Sequence, residues 1–438
     1  MLQKNRILRL LILCLFSMLT AMSIAAAQET PRDFWVTGFH TSPPTYRKLR
    51  ASLRAAGSRS QIYVEDKLWG EELNPDFMGR LLLRLESELP PGAVATETGI
   101  VPFEEGLFGS LPKKIAPGDD RLIVLFADFG PGRAKSIDGA FNAIDQIPDT
   151  EARAKFNQRS NEANVVYVNG FRKSEIHTTG VIANELQKLL ARANSVSERE
   201  VWLSETLAEG AMLLTGHFTN QSRVNELAAD PGRFPLVSFS GNTFAAQLLF
   251  SAFLLDSVYG TGSDTLAAIS KASEPGKAAV ERVFREQTGA PLTFDALYSN
   301  FVSYVFSHSA QADSLPQAWS PKDGILIPEI RPYYSYKSSS GELAGQIPPY
   351  SFLAIDLAQE LSPKVLIQTE RVRQKDALLG PQICASSASV LWKPIAPKRI
   401  AIYSVGCDPL PGEGNIAFRL KIVDQPSLIP SGSFKILR

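Results

Sequence analysis

The feature that most constrains the fold is a continuous apolar run, RLIVLFADF, at Arg121–Phe129. Asp119 and Asp120 precede this run, and Gly130 and Pro131 follow it, so its bounds are those of a single element. A short apolar run without alternation between apolar and polar residues is typical of a strand that is covered on both faces. The run therefore predicts the buried central strand of a sheet.

Further strands and helices are predicted around this strand. Gln61–Glu65 (QIYVE) and Asn164–Gly170 (NVVYVNG) are rich in β-branched and aromatic residues, which favours strands. Asn74–Glu88 carries its apolar residues on one side, as an amphipathic helix does. From about Thr243 to Phe306 the chain is predicted to be helical, with breaks at turns that contain glycine.

The composition changes after His308. Residues 309–323 are polar and contain prolines, as an interdomain linker does. Short apolar runs then alternate with turn clusters and show no helical period, which favours a small all-β domain over 324–438, with a sandwich as the expected form. The runs are Ile325–Ile327, Ser351–Leu357, Val365–Glu370, Arg399–Val405 and Ile416–Val423.

Residues 1–27 have the three parts of a signal peptide. Basic residues come first, an apolar stretch covers Leu10–Met22, and Ala25–Ala27 provides a small-residue cleavage site. Because Leu13 precedes Cys14, where lipid attachment requires a small residue, we expect release and not lipid anchoring. The mature chain is then predicted to begin near Gln28 and to be exported, to the periplasm or outside the cell. No later segment is long and apolar enough to span a bilayer.

Charge and cysteine content limit the partners and the redox chemistry. The 438 residues include 45 basic and 45 acidic side chains, and this balance gives no support for nucleic-acid binding, which needs a basic face. Two cysteines, Cys384 and Cys407, remain after signal cleavage. In an oxidising compartment we expect a disulfide between them, and two separate buried thiols are the alternative.

The segment Val181–Leu190 (VIANELQKLL) has the layout of a zinc-peptidase helix without its histidines. In H-E-x-x-H two imidazoles lie one turn apart, with a glutamate between them. Here Asn184 and Lys188 occupy the histidine positions and Glu185 occupies the glutamate position. Thr178 or Thr179 is the expected N-cap. The next helix, which contains WLSETLAEGA, is expected to begin with the capping box Ser197-x-x-Glu200.

The order of these segments resembles that of gluzincin zinc metallopeptidases of the hyicolysin type, over roughly Gln61 to Phe306. The resemblance implies an α+β fold for residues 28–308: a zincin-like mixed sheet with an active-site helix and a helical subdomain. The segments that carry it, besides the NELQK helix, are LFG, DDRLIVLFADF, FNAIDQ (Phe141–Gln146), SNEANVVYVN (Ser160–Asn169), WLSETLAEGA, FLLDSVYG (Phe253–Gly260) and FDALYSNFVSYVF (Phe294–Phe306).

The resemblance implies a role for each site position. Asn184 and Lys188 stand where two histidines would bind zinc, and Glu185 matches the glutamate that activates the bound water. Glu205, in W-x-x-E, matches the third zinc ligand. Two further residues are expected to support the site: Glu209 and Trp202.

These residue types predict that the zinc expected for the family has been lost. Catalytic zinc takes three protein ligands with nitrogen, sulfur or carboxylate donors. The Asn184 amide is a poor ligand, and the Lys188 ammonium has no free lone pair and repels a dication. Without zinc no water is activated, so Glu185 is expected to be idle. We therefore expect no metal, no other cofactor and no hydrolysis by this route.

Two positions of the Lys188 side chain remain open. Its ammonium can replace the lost cation and pair with Glu205 or Glu185, which avoids leaving a buried carboxylate unpaired. Alternatively, it points to solvent. A relocated metal site would need His177 or His217 beside Glu205 and Glu209, and scattered histidines more often have structural positions.

Three functions follow from this sequence. The preferred one is an exported metallopeptidase homologue without catalysis, a pseudopeptidase that serves as a scaffold or binds a peptide or protein segment, with an extended chain added along Asn164–Tyr167. The second is an active secreted metallopeptidase with a rebuilt metal site near Glu185. The third is an envelope adhesion or structural protein that uses the C-terminal domain.

Overall fold

The structure is a computed structural model. It describes residues 31–38, 45–70, 73–113, 120–130, 137–171, 174–194, 200–217, 221–237, 244–256, 262–309, 325–331, 334–336, 340–357, 365–371, 386–391, 399–405 and 415–424. The predicted signal peptide, almost all of the predicted linker, and both Cys384 and Cys407 lie outside the described residues.

The N-terminal part of the fold contains a six-stranded mixed sheet with the order β1-β2-β3-β4-β6-β5. Its strands are β1 (Pro31–Thr37), β2 (Tyr46–Ala56), β3 (Ser60–Glu65), β4 (Leu122–Ala127), β5 (Gly139–Phe141) and β6 (Asn164–Asn169). Strands β3, β4 and β6 are parallel, whereas β1, β2 and β5 run antiparallel to their neighbours. Every residue of β4 is buried, which confirms the predicted central strand.

Ten α-helices lie within the described residues. They are α1 (Pro75–Glu86), α2 (Ile100–Phe108), α3 (Asp149–Phe156), α4 (Glu175–Asn194), α5 (Val201–Leu214), α6 (Gln221–Ala229), α7 (Ala245–Asp256), α8 (Gly262–Lys271), α9 (Gly276–Thr288) and α10 (Phe294–His308). Within these residues no helix has the length and apolar character needed to cross a bilayer. Together with the sheet, the helices make the fold α+β.

The two faces of the sheet have separate cores because side chains alternate along each strand. Val124 and Phe126 of β4 pack with the helices in the larger core. Ile123 and Leu125 of the same strand face a smaller cluster that includes Phe34 of β1. The core helices are therefore concentrated on one face of the sheet, and this face carries the candidate site.

Both helices of the zinc-peptidase-like segment begin at positions other than those predicted. Helix α4 begins at Glu175, so Thr178 and Thr179 lie inside it, and the expected threonine cap is wrong. The Ser174 hydroxyl lies 3.5 Å from the His177 backbone N–H and has the cap position instead. Helix α5 begins at Val201 and Glu200 has its N-cap position, so Glu200 is not the third helical residue that a capping box requires; Ser197, the other residue of the predicted box, lies outside the described residues.

The described residues after 331 contain seven strands in two sheets, with orders β10-β13-β8 and β11-β12-β9-β7. They are β7 (Tyr334–Tyr336), β8 (Ser340–Ile347), β9 (Ser351–Leu357), β10 (Val365–Arg371), β11 (Ser386–Leu391), β12 (Arg399–Val405) and β13 (Ile416–Asp424). The predicted strand Ile325–Ile327 is wrong, because no strand is formed there. Its two isoleucines are buried in the larger core with the helices.

Candidate functional site

Helices α4 and α5 bring the candidate site residues together. The apolar face predicted for α4 is fully buried, because Ile182, Leu186, Leu189 and Leu190 are all 0% exposed. Packing of this face fixes the rotation of the helix, so Asn184, Glu185 and Lys188 line a cavity with Glu205 and Glu209 of α5. The positions selected by the family resemblance therefore meet at one place in the fold.

The Lys188 ammonium lies between two carboxylates. Its Nζ is 3.2 Å from Glu185 Oε1 and 3.1 Å from Glu205 Oε1. The Lys188 side chain is 18% exposed, so the structure has the ion-paired arrangement and not the solvent-facing one. Burial alone disfavours the ammonium, but Glu185 and Glu205 outweigh it and raise the pKa of Lys188. Lys188 therefore stays charged and is unsuited to act as a nucleophile or a base.

The pKa of the Glu185 carboxyl group is subject to opposing effects. Burial raises the pKa of Glu185, the Lys188 ammonium opposes this rise, and the nearby Glu205 carboxylate adds to it. The carboxylate also accepts a hydrogen bond from the backbone N–H of Phe141 in β5. Both the ammonium and this N–H occupy acceptor positions of Glu185, so its arrangement is that of a paired structural carboxylate.

Glu209 forms a second ion pair in the same cavity. Arg223, at the start of α6, donates from Nη1 to Glu209 Oε1 over 2.7 Å. The other oxygen, Oε2, is buried and accepts no hydrogen bond from any described residue. Burial raises the pKa of Glu209, with Arg223 opposing the rise and Glu205 reinforcing it.

The two nearby histidines do not join the carboxylates of α5. His177 lies against Asp138, with 3.3 Å between Nε2 and Oδ2. His217 is buried, and its Nδ1 lies 3.0 Å from the Thr179 hydroxyl. Burial, with a smaller effect of Arg84, lowers the pKa of His217 to about 3, so the imidazole is neutral near pH 7. Within the described residues neither ring forms a hydrogen bond or an ion pair with Glu205 or Glu209.

The donors in the cavity do not suit a zinc ion. Lys188 places a positive charge 3.1 Å from Glu205, the position that matches a zinc ligand, and Asn184 offers only an amide. A dication beside this ammonium would be repelled and would have too few nitrogen or sulfur donors. Within the described ranges, no group of three or more His, Cys, Asp or Glu side chains has an arrangement for holding a metal.

The strand at the edge of the cavity is β5. It pairs with β6 through Gly139–Val168, Ala140–Tyr167 and Phe141–Val166. Strand β6 therefore has β4 on one side and, at Val166–Val168, β5 on the other, so an added peptide cannot pair with Val166 and Tyr167 as expected. Among the described strands the outermost one on this side of the sheet is β5, whose first residue, Gly139, also lines the cavity.

Gly139 allows a close approach between β5 and α4. A Cβ atom at this position would lie 2.3 Å from Val181 Cγ1, well inside van der Waals contact. It would also lie 3.4 Å from Glu185 Cγ, so the glycine brings the edge strand against the helix that carries Glu185. Residue 139 therefore sets the width of the cavity at this end.

Trp202 supports the site from the core and does not line the cavity. Its side chain is 2% exposed, and its indole N–H donates to Glu200 Oε2 over 2.7 Å. The ring packs against Phe250 of α7 and Phe294 of α10, with ring centres 6.4 and 5.4 Å away. These contacts hold the first turn of α5 and thereby position Glu205, one turn further along.

Eight lining residues were not among the predicted site residues, and three of them, Asp138, Gly139 and Arg223, contribute charge or set the shape of the cavity. Asp138 precedes and Gly139 begins the three-residue strand β5, which is too short for a periodic signal. Arg223 follows the end of the W-x-x-E helix by nine residues, and its charge could have been proposed as the partner of the buried Glu209.

The comparisons with known proteins give no family assignment. No protein-family model matches the chain, and no curated protein sequence matches it. The resemblance to gluzincin metallopeptidases thus depends on the order of segments in the sequence.

Proposed function

We propose that this chain is an exported metallopeptidase homologue that has lost zinc and catalysis and that binds an extended peptide or protein segment in its cleft. The observation that carries the proposal is the ammonium of Lys188, which is shared by Glu185 and Glu205. A fixed positive charge there replaces the charge of a zinc ion and removes the means of activating water. The site is then a stable ion-pair cluster and not a catalytic one.

The finer fold assignment belongs to the same proposal. A mixed sheet with an antiparallel edge strand, and a helix that carries Glu185 directly beside that strand, support a zincin-like arrangement. The two sheets after residue 331 support a C-terminal sandwich. The signal-like residues 1–27 support export, and export supports a disulfide between Cys384 and Cys407.

The binding mode is addition of a strand to the edge of the sheet. Among the described strands β5 has one neighbour, β6. Its other edge carries backbone groups that an extended peptide can pair with, apart from the Phe141 N–H, which donates to Glu185. The edge lies beside the cavity through Gly139, so alternate side chains of such a peptide would face the cavity. We infer that the bound segment is extended and that its backbone supplies most of the binding contacts.

Restoring the two histidines tests the loss of zinc. We expect the purified protein to take up no stoichiometric zinc, whereas Asn184→His/Lys188→His binds one ion per chain, measured by calorimetry and elemental analysis. Each single substitution is the matched control, and adding Glu205→Gln to the double variant removes the third ligand and weakens the binding.

Two results would contradict the proposal. The first is tightly bound zinc in the unmodified protein, together with peptide cleavage that stops when a chelator is added and is absent in Glu185→Gln. This result would establish that the protein is an active metallopeptidase. The other is the absence of zinc from a folded double-histidine variant, which would mean that α4 and α5 do not have the ligand geometry of a zincin.

A further inference from the structure

The cavity beside β5 combines apolar walls with an acidic end. Its volume is about 220 Å³, below the range of about 300–1,000 Å³ that is typical of pockets for whole drug-sized ligands. It therefore has the size for one side chain of a longer ligand. The apolar part of the lining consists of Ile137, Val181, Met212 and Phe244.

The charged lining has more carboxylates than cations. The carboxylates are Asp138, Glu185, Glu205 and Glu209, and the cations are Lys188 and Arg223, with His177 positive only when protonated. Both cations are already engaged: Lys188 contacts two carboxylates, and Arg223 contacts one. The cavity thus presents an excess of negative charge to any group that enters it.

Glu209 provides a buried acceptor at this acidic end. The residue is 2% exposed, and its Oε2 accepts no hydrogen bond from any described residue. A buried carboxylate oxygen without a donor is costly, and a charged N–H donor from a ligand would remove that cost. Arg223 holds the other oxygen at 2.7 Å and so fixes the direction of the carboxylate.

We propose that the cavity binds the side chain of an arginine or lysine in the extended segment that lies along β5. The methylene stem of such a side chain packs against Val181, Met212 and Phe244, and its cationic head reaches Glu209. An acidic side chain would meet the excess of carboxylates, and an uncharged apolar one would leave Glu209 Oε2 without a donor. This inference rests on the proposed function, because it names the ligand class of the same cleft.

The test compares peptides that differ in one side chain. Fluorescent extended peptides carry arginine, lysine, citrulline or glutamate at one central position, and binding to the full-length purified protein is measured by fluorescence anisotropy. Citrulline keeps the shape of arginine without its charge. We expect the arginine and lysine peptides to bind at least about tenfold more tightly than the citrulline peptide, the ratio for one charge-assisted hydrogen bond.

Substitutions of this chain locate the effect. Glu209→Gln is expected to remove the preference for the basic peptide, and Asp138→Asn, at a partly exposed residue, tests the same cavity if the first variant does not fold. Glu226→Gln on the exposed side of α6 is the matched control, because it makes the same change of charge away from the cavity. If both cavity variants bind basic peptides over the citrulline peptide with the same preference as the control, the inference is wrong.

A small cation separates the two proposals. N-acetyl-arginine methylamide offers the guanidinium without an extended backbone. If peptides bind without any preference for the basic residue, the cavity inference is wrong and the proposed function stands. If the small cation binds and peptides bind no better, the cavity takes cations but the strand-addition function is wrong. If neither the peptides nor the small cation bind, both proposals are wrong.

Discussion

Replacing Lys188 with methionine tests the ion-pair cluster most directly. The substitution keeps an unbranched side chain of similar length but removes the ammonium that pairs with Glu185 and Glu205, over 3.2 and 3.1 Å. Removing one partner of a buried ion pair costs about 3–5 kcal/mol of unfolding free energy, because the remaining charge has no partner. The three side chains are 18%, 11% and 13% exposed, so some water reaches them and the cost is lower.

Protonation sets an upper limit to this loss. The ordinary pKa of Glu185 is 4.5, and neutralising such a carboxylate at pH 7 costs about 1.36 kcal/mol for each of about 2.5 pH units, or about 3.4 kcal/mol. We therefore expect Lys188→Met to lose about 2–3 kcal/mol of unfolding free energy at pH 7. Without Lys188 the pKa of Glu185 rises further, so the folded state binds more protons than the unfolded state above pH 4.5. The loss therefore increases as the pH rises from about 4.5 to 7.

The assay is urea unfolding followed by tryptophan fluorescence, to which the buried Trp202 contributes. The matched control is Lys155→Met, which breaks an exposed pair with Glu151 and is expected to cost no more than about 0.5 kcal/mol. The variant Lys188→Met/Glu185→Gln/Glu205→Gln removes all three charges and is expected to recover most of the loss. A loss in Lys188→Met that equals the control, or that does not change with pH, would refute the reasoning.

Three further predictions concern buried groups near the site and in the core. Glu104 is 0% exposed, neither of its oxygens has a partner among the described residues, and burial raises its pKa well above the ordinary value. Glu104→Leu should therefore stabilise the fold by about 1–3 kcal/mol at pH 8 and by less at pH 5. An equal effect at both pH values in urea unfolding would contradict this prediction. The pKa of His217 is lowered to about 3 from 6.5, so the unfolded state takes up a proton first as the pH falls. Between pH 6.5 and 3, His217 lowers the free energy of unfolding by up to about 1.36 kcal/mol for each pH unit that the pH falls. His217→Gln should reduce the slope of unfolding free energy against pH by up to that amount. An unchanged slope would contradict a buried, neutral His217 ring. Gly139→Ala places a Cβ 2.3 Å from Val181, so it should lower the free energy of unfolding by about 1–3 kcal/mol and weaken peptide binding. The control is Gly79→Ala, which has no atom within 4 Å of the new Cβ and should be neutral or stabilising.

The sequence predicts the elements with strong local patterns. The buried strand β4 was identified from its uninterrupted apolar residues, and β9 and β12 have their predicted bounds. The N-terminal strand β2 was missed because four of the eleven residues in YRKLRASLRAA are basic, and they hide the alternation. Strand β5 was missed because three residues are too few to show a period. Both are specified by pairing with neighbouring strands and not by local preference.

The sequence predicted which residues line the site but not which contacts they make. The spacing of Asn184, Glu185 and Lys188 on one helix follows from the sequence, as does Glu205 on the next. The choice between a paired and a solvent-facing Lys188 depends on the distance between α4 and α5, which packing of residues far apart in sequence determines. The predicted threonine cap of α4 failed for a local reason: Ser174, four residues before Thr178, has the same capping chemistry.

Tyr350 lies just before β9, and its hydroxyl donates to Asp295 of α10 over 2.8 Å and accepts from Lys277 of α9 over 3.2 Å. Its ring packs against Phe294, the same ring that packs on Trp202. A truncated protein that ends near residue 308 would thus expose aromatic surface at the base of the helix that carries Glu205. Deletion mapping of this chain would confuse loss of a binding module with damage to the cleft, so point substitutions in the intact chain are the sounder route to its activity.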